Sequence, residues 1–380
     1  MEIPLFKIYN DENDVEAVRQ VISSGKNWAI GSSIMDFERE LNHYFGTKYC
    51  VVFNSGTSAL HSVMIAYNFM PGDEIIVPSF TFISTANSAL FVNAKPVFAD
   101  IEQKSLGLDP DDVLEKISKS TKAIIPVHYG GCPSDILALK EIAEDHNLIL
   151  IEDAAESFGA TVGKKKTGTF GDSAMLSFCQ NKIIATGEGG AIITDSADLY
   201  RKLTLARSHG RLDDKDYFSA PLTSNYVSLG FNFRMSNIIA ALGLSQLKKV
   251  EHLISMRLKV ANYYIDNLKN ISIIKVPYIP PDTRHVFQLF SIRVKQGLRD
   301  SLIEHLKSKG ISSKVYFSPV HLTPFYAKLL NKEIRLPNTL AITQEILSLP
   351  MYPTISKEEQ DYIINEIKEF SENKFSGDSN

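Results

Sequence analysis

The sequence predicts an α/β protein in which a large three-layer αβα domain, with a mixed sheet of about seven strands, precedes a small C-terminal α+β domain. From residue 48 onward, short apolar runs alternate with stretches of helical periodicity, which is typical of a sheet covered by helices. The chain has 380 residues, whereas one domain typically takes ~100–200. We therefore expect two domains, with residues 1–250 in the large one and 251–380 in the small one.

Two amphipathic helices are predicted ahead of the sheet. Apolar residues recur at helical spacing over residues 12–24 and again over 34–45. The loop between them, 25–32, is bounded by glycines and carries the only tryptophan of the chain, Trp28. Trp28 could pack in the core or line the rim of a pocket.

The predicted strands of the large domain are seven short apolar runs. They cover residues 50–53, 74–77, 96–99, 123–127, 148–151, 174–178 and 190–194. In α/β sheets, ligands bind at the carboxyl ends of the strands. The residues that directly follow these runs are therefore the first candidates for a functional site.

The second half of the chain has fewer predicted strands. A polar stretch at 208–227 predicts an exposed excursion, and a long helix at 236–269 leads into the second domain. Strands are expected at 286–294 and 313–317, and helices at 299–309 and after Ser356, where Ser356 and Glu359 form a capping box. The polar tail from 371 to 380 is expected to fray.

Composition limits the classes of partner and site. The formal net charge is −4 with 22% charged residues, so the sequence lacks the basic excess of a nucleic-acid binder. No signal-peptide pattern and no apolar run of ~18 residues is present, which predicts a cytoplasmic protein without a membrane partner. The three cysteines, Cys50, Cys132 and Cys179, form no CxxC pair, so we expect neither a disulfide framework nor a metal site.

A single lysine stands out beside a predicted strand end. Lys182 lies between the apolar run 174–178 and the glycines at 187, 189 and 190, so we expect it to be held at the sheet edge. Burial beside apolar groups favours the neutral amine of a lysine, which can then form a Schiff base with an aldehyde cofactor. The alternative is an exposed loop lysine without a chemical role, and the neighbouring motifs decide between the two.

Two motifs at other strand ends complement this lysine. Glu-Asp-Ala-Ala-Glu at 152–156 follows one predicted strand, and Asn-Ser-Gly-Thr-Ser at 54–58 follows another. Pyridoxal phosphate (PLP) requires a lysine for its aldehyde, a carboxylate for its pyridine nitrogen, and an amide-rich helix start for its phosphate. The sequence offers one of each, so PLP is the predicted cofactor.

These motifs resemble the PLP-dependent sugar aminotransferases of the DegT/DnrJ/EryC1/StrS family. The resemblance spans residues 31–353 and is carried by segments 54–57, 78–82, 152–156, 177–182, 186–190 and 231–237. It implies PLP fold type I, a homodimer, and active sites that both subunits complete.

The resemblance also implies a role for each matching residue. Lys182 would bind the cofactor aldehyde and carry protons, and Asp153 would pair with the pyridine nitrogen. Ser177, Gly56 and Thr57 would bind the phosphate at a helix amino terminus.

Three further cofactor contacts follow from the same resemblance. Glu156 would lie near the phenolic oxygen, and Phe82 would cover the ring, although Phe82 could instead be a core residue. Asn232 would reach the phosphate of the cofactor in the other subunit.

Five residues are candidates for substrate contacts: Trp28, His128, Arg234, Tyr316 and His321. Arg234 could equally form a structural salt bridge. The family pattern is altered at Cys179-Gln180 and at Tyr129-Gly130-Gly131, and these loops are expected to border the substrate pocket.

The resemblance implies that glutamate donates its amino group, through PLP, to a nucleotide-linked keto-deoxysugar, with C4 as the expected position. A second possibility is a sugar dehydratase of the same fold, but such enzymes carry histidine where this chain has Lys182. A third is a regulatory protein on a retained fold, against which the complete set of Lys182, Asp153 and Ser177 argues.

Overall fold

A seven-stranded mixed sheet forms the centre of the computed structural model, which describes residues 1–212, 225–331 and 333–376. The strands are β1 Tyr49–Phe53, β2 Glu74–Pro78, β3 Lys95–Ala99, β4 Thr121–Ile124, β5 Ile149–Asp153, β6 Thr161–Val162, β7 Lys165–Lys166, β8 Ser173–Ser177, β9 Gly190–Thr194, β10 Ile274–Lys275, β11 Thr283–Arg284, β12 Phe290–Val294 and β13 Ile346–Leu349. All seven strands predicted for the large domain are present, with small shifts at their ends.

The helices of the described residues pack on both sides of this sheet and around a second one. They are α1 Glu12–Ser23, α2 Ser32–Phe45, α3 Gly56–Ala66, α4 Ile83–Leu90, α5 Pro110–Lys116, α6 Ile136–Asp145, α7 Ala197–Arg207, α8 Asn237–Lys248, α9 Val250–Leu268, α10 Arg299–Ser308, α11 Pro324–Leu330, α12 Pro337–Glu345 and α13 Lys357–Ser376. Nowhere in the described ranges is a helix both long and apolar enough to span a bilayer.

The strand order of the large sheet is β1-β9-β8-β5-β4-β2-β3. Strands β3, β2, β4, β5 and β8 pair in parallel, whereas β9 runs antiparallel to both β8 and β1. Because β9 reverses direction between them, β1 and β8 point the same way. The carboxyl ends of β1, β2, β5 and β8 therefore meet at one edge, which brings the motifs that follow them together.

The apolar runs of these strands bury side chains on both faces of the sheet. Ile75 and Val77 of β2 pack with α3, α4 and α7, whereas Ile76 between them packs with α5 and α6 on the opposite face. Successive strand residues point to opposite faces, so a strand covered on both sides is apolar throughout. This explains why each run is continuous rather than alternating with polar residues.

A second, three-stranded sheet of order β10-β12-β13 packs with α9, α10 and α13 around its own apolar core. Ile3, near the amino terminus, is buried in this core. The capping box predicted at the start of α13 is present, with Glu359 N–H 3.1 Å from Ser356 Oγ and Ser356 N–H 2.8 Å from a Glu359 carboxylate oxygen. The division of the chain near residue 250 stays a prediction.

Two predictions for the second half of the chain were wrong in their bounds, and a third cannot be compared with the described residues. The long helix is broken at Lys249, whose Nζ lies 2.6 Å from Asp11 and 3.0 Å from Asp14. Helix α13 continues to residue 376, so the expected fraying does not apply to 371–376, while 377–380 fall outside the described residues. The predicted excursion at 208–227 also falls largely outside them.

Two predicted strands are shorter or missing because their backbone has other partners. The strand expected at 286–294 begins only at Phe290, since the amides of Val286 and Leu289 donate to the Gly131 and Gly130 carbonyls. At 313–317, Lys314 alone forms a bridge, pairing with Ser348.

Candidate active site

An open cleft of about 450 Å³ lies at the shared carboxyl edge of β1, β2, β5 and β8. Its walls come from the ends of these strands, from the amino terminus of α3, and from residues of the second half of the chain. They include Ser55, Gly56, Thr57, Phe82, Thr85, Asp153, Glu156, Ser177, Asn181, Lys182, Lys314 and Tyr316. The cleft therefore joins the sequence motifs at 54–58, 152–156 and 177–182.

Lys182 is held by its loop and by a carboxylate. The Lys182 amide donates to the Cys179 carbonyl at 2.9 Å, which closes a turn after β8. Its side chain is only 14% exposed, and Nζ donates to Glu156 Oε1 at 3.3 Å. The other Glu156 oxygen accepts the Gly130 amide at 2.8 Å, so the carboxylate beside the amine is itself fixed.

Asp153 presents a buried carboxylate at the end of β5. One oxygen accepts the Thr85 hydroxyl at 2.7 Å and the other accepts the Ala155 amide at 3.1 Å. Within the described ranges, no basic side chain forms an ion pair with it. Burial raises the pKa of Asp153 above its ordinary value, because the charged form loses its hydration. A cation bound beside this carboxylate would stabilise its charged form.

The amino terminus of α3 forms a cradle for an anion. Ser55 caps the helix by accepting the Ser58 amide at 3.0 Å, which leaves the Gly56 and Thr57 amides at the free end. A Cβ on Gly56 would lie 3.1 Å from Met175 Sδ and 3.4 Å from Ser177 Cβ, so a side chain there would narrow the cradle. Helix amino termini with a small first residue bind phosphate groups well.

The residues present fit pyridoxal phosphate. A buried carboxylate without a basic partner suits a protonated ring nitrogen, the α3 terminus with Ser177 suits a phosphate, and the amine of Lys182 suits an aldehyde. When bound, the cofactor supplies an electron-withdrawing ring that stabilises negative charge on the carbon undergoing amino transfer.

Two histidines predicted to contact the substrate do not line the cleft, because both side chains are buried. His128 is fully buried, with Nε2 2.9 Å from Glu152 and Nδ1 3.1 Å from the Ser134 amide. Glu152 is also fully buried and accepts three backbone amides from the 168–171 turn. His128 therefore belongs to a buried polar network that supports β5.

His321 is also buried, and its Nδ1 lies 2.6 Å from the hydroxyl of Ser79. Burial lowers the pKa of this imidazole. In sequence, a buried histidine with a polar partner is indistinguishable from one that lines a pocket.

The other candidate substrate residues divide into two groups. Tyr316 lines the cleft, and burial raises its pKa. Trp28 is 50% exposed on the loop before α2, and Arg234 donates to Ser208 Oγ at 3.1 Å. Neither residue lines the cleft of its own chain. Asn232 is exposed and likewise does not line that cleft.

Phe6 and Lys314 also line the cleft, although the sequence did not predict either residue there. Phe6 reaches the cleft because the amino-terminal segment pairs with the second half of the chain: the Ile3 amide donates to Gly310, and the Met351 amide donates to Leu5. Nothing local in the sequence indicates this pairing.

Thr85 is a further cleft residue, and a signal for it was available in the sequence. Thr81 lies between β2 and α4, Thr85 lies in the first turn of α4, and their hydroxyls are 3.0 Å apart. Two threonines four residues apart just after an apolar strand indicate a polar site at the end of that strand.

Residues 9–368 match the DegT/DnrJ/EryC1/StrS aminotransferase family. Among curated relatives, a GDP-perosamine synthase of Caulobacter vibrioides is 37% identical over 93% of this chain and 94% of the relative. A GDP-perosamine synthase of Vibrio cholerae is 34% identical over 97% of this chain and 99% of the relative.

Solved structures give the same result. Helicobacter pylori PseC, an aminotransferase involved in the biosynthesis of pseudoaminic acid, superposes with a TM-score of 0.93 at 30% identity and covers 98% of this chain and 100% of its own. The Bacillus subtilis protein NtdA, solved with bound cofactor PMP, superposes with a TM-score of 0.88 at 30% identity over 98% of this chain and 85% of its own.

Proposed function

The chain belongs to the DegT/DnrJ/EryC1/StrS family of PLP-dependent aminotransferases, and we propose that it transfers the amino group of glutamate to the keto carbon, at C4, of a nucleotide-linked keto-deoxysugar. It has PLP fold type I and is a sugar aminotransferase. The observation that carries the proposal is the convergence of Lys182, Asp153 and the α3 terminus on one cleft. Two relatives named for making a GDP-linked sugar support a nucleotide-linked substrate.

In the proposed reaction, Lys182 Nζ would hold the cofactor through its aldehyde and, when free, would take up and return the proton of the carbon that gains or loses nitrogen. Glu156, 3.3 Å from Nζ, keeps the amine in place and would serve the phenolic oxygen of the cofactor. Asp153 would keep the ring nitrogen protonated. Phe82, which is 59% exposed in the cleft, would cover the ring.

Ser177, Gly56 and Thr57 are the proposed phosphate ligands of the same chain. The Thr57 hydroxyl lies 2.6 Å from the Ser84 hydroxyl, which fixes its rotamer at the mouth of the cradle. Tyr316 and Lys314 border the open side of the cleft, where the sugar and its anionic nucleotide would enter.

A panel of GDP-, dTDP- and UDP-linked keto-deoxysugars, each with glutamate, tests the proposed reaction. We expect one nucleotide series to yield an amino sugar and 2-oxoglutarate in equal amounts, with nitrogen at C4 by NMR. Nitrogen at C3 would contradict the proposed position. Loss of a sugar hydroxyl without nitrogen transfer would instead favour the dehydratase.

We further propose that the enzyme is a homodimer whose subunits share their active sites. Several large apolar side chains are exposed on α1, on α2 and on loops: Val15 at 55%, Trp28 at 50%, Met35 at 65% and Leu229 at 77%. A second subunit that covered such side chains would remove their apolar surface from water. Asn232, Trp28 and Arg234, which do not line the cleft of their own chain, would then contribute to the partner's site.

Hybrid dimers test this sharing. The Lys182→Ala and Asn232→Ala subunits are co-expressed with different tags, and the dimers that carry both tags are purified. These hybrid dimers should be active, although each parent variant is not. One of the two sites in such a dimer would hold both intact residues, so we expect about half of the wild-type rate per dimer if the sites act independently. Each parent variant alone must be clearly impaired. Hybrids no more active than their parents, or a monomer by sedimentation, would contradict the shared site.

We also propose that the enzyme works in the cytoplasm. All three cysteines are free thiols, with Cys50 and Cys132 buried, which suits a reducing compartment.

A further inference from the structure

We infer that Gln288 is a positioning residue for Lys182. Its side-chain amide nitrogen donates to the backbone carbonyl of Asn181, the residue directly before Lys182. Gln288 does not line the cleft itself, so it acts on the lysine through the loop. The inference rests on the proposed role of Lys182 and names a residue that keeps this lysine in position for the reaction.

The environment of Gln288 fixes the direction of its amide. The residue is only 3% exposed, and a carbonyl can only accept, so the nitrogen must face Asn181. Its side-chain oxygen is buried and has no hydrogen-bond partner within the described ranges. A buried acceptor without a partner destabilises the folded state, so packing alone would favour an apolar side chain at this position.

The backbone of Gln288 is anchored by a buried arginine. Arg257 Nη1 donates to the carbonyls of Phe287 at 3.1 Å and Gln288 at 3.3 Å. Arg257 lies on α9 and is 3% exposed. The lysine loop is thereby linked to the helix that leads into the second core.

The same segment also holds the Lys182 side chain, by a separate route. The Leu289 amide donates to the Gly130 carbonyl at 3.1 Å, and the Gly130 amide donates to Glu156 at 2.8 Å. Glu156 in turn accepts from Lys182 Nζ. Segment 286–289 therefore restrains Lys182 in two ways. It binds the backbone before the lysine through Asn181, and it positions Glu156, which accepts a hydrogen bond from the lysine amine.

This arrangement matters because Lys182 must reach two atoms in turn, the cofactor aldehyde carbon and the carbon that exchanges a proton. A displacement of about 1 Å in such a group can lower the rate by about 10²-fold. Substrate binding uses other residues of the cleft. Removing the Gln288 donor should therefore lower kcat and leave KM nearly unchanged.

Gln288→Met tests the inference, because methionine has a similar length but no donor. We expect kcat to fall about tenfold and KM for both substrates to stay within about twofold. Amides of 179–186 in the holoenzyme should exchange with deuterium faster than in the wild type. The unfolding temperature should not fall, because the substitution also removes the unpartnered oxygen.

Gln360→Met is the matched control. Gln360 is 5% exposed, and its amide donates to the Val260 carbonyl at 3.0 Å, away from the cleft. We expect this variant to keep wild-type kcat and wild-type exchange in 179–186. If Gln288→Met kept wild-type kcat or wild-type exchange while Lys182→Ala was inactive, the inference would be overturned and the proposed function would stand. An active Lys182→Ala enzyme would overturn both.

A second variant tests the donor itself. The side chain of Gln288→Glu can donate to Asn181 only when protonated, and burial raises the pKa of a carboxylic acid. The ratio of its kcat to that of Gln288→Met should therefore increase as the pH falls. A ratio independent of pH would contradict the role of the donor.

Discussion

Lys182→Ala is expected to abolish amino transfer and to leave the protein folded. The substitution removes the amine that we propose binds the cofactor aldehyde and moves the proton, so turnover should fall by at least about 10³-fold. The fold should persist, because the side chain borders an open cleft and, among the residues that the structure describes, its amine donates only to Glu156. Steady-state rates with glutamate and the ketosugar, together with thermal unfolding followed by circular dichroism, measure both parts.

Lys249→Ala is the matched control for this experiment. Lys249 is 13% exposed, close to the 14% of Lys182, and its ion pairs with Asp11 and Asp14 lie away from the cleft. Its loss should lower the unfolding temperature and leave the turnover of the folded protein intact. Full turnover by Lys182→Ala would rule out the proposed role of that lysine.

The meeting of the proposed cofactor residues in one cleft could be predicted, because it depends on local signals. Asp153, Ser177 and Gly56 follow or end apolar strands, and in a sheet of this kind such positions meet at one edge. Beyond these local signals, the meeting of the residues depends only on the direction in which each strand runs in the sheet. The reversal of β9 was not apparent from the sequence, but it does not move these residues from the shared edge.

The substrate side of the cleft could not be predicted in the same way. Whether His128 lines the pocket or supports it depends on Glu152, whose other partners come from the 168–171 turn. Phe6 reaches the cleft only because Ile3 and Leu5 pair with segments more than 300 residues away. Contacts between residues this far apart in the chain produce no periodic pattern in the sequence.

The strand expected at 286–294 shows how such contacts override local preference. Residues 286–294 have strand-like composition, yet the first four instead bind the Gly130-Gly131 backbone and the buried Arg257. A Cβ on Gly131 would lie 2.8 Å from Val286, so this close approach requires glycine there. The interruption of the strand places Gln288 beside the lysine loop.

Asp153→Asn should lower kcat by about 10²- to 10³-fold, because a neutral amide does not hold a proton on the ring nitrogen and the cofactor then accepts negative charge poorly. The fold should persist, because an asparagine oxygen can still accept the Ala155 amide and the Thr85 hydroxyl can reverse its hydrogen bond. Rates at saturating cofactor measure the effect. Unchanged turnover would mean that another group serves the nitrogen.

The cofactor-free protein gives a second readout for Asp153. Burial raises the folded-state pKa of this carboxyl above its unfolded value, so the stability it contributes is present at low pH and is lost as the pH rises through the folded-state pKa. Without cofactor, Asp153→Asn should therefore be more stable than the wild type at neutral pH. The difference should shrink as the pH falls through the folded-state pKa and should be smallest below about pH 4.

With cofactor bound, the wild type should be more stable than Asp153→Asn, because the protonated ring nitrogen then provides a positive charge beside the Asp153 carboxylate. Asp100→Asn is the matched control, since Asp100 is 4% exposed like Asp153 but accepts the amides of Asn338 and Thr339 outside the cleft. Asp100→Asn should be destabilised with and without cofactor, at unchanged kcat. If Asp153→Asn gained as much stability from the cofactor as the wild type, its carboxylate would not pair with the ring nitrogen.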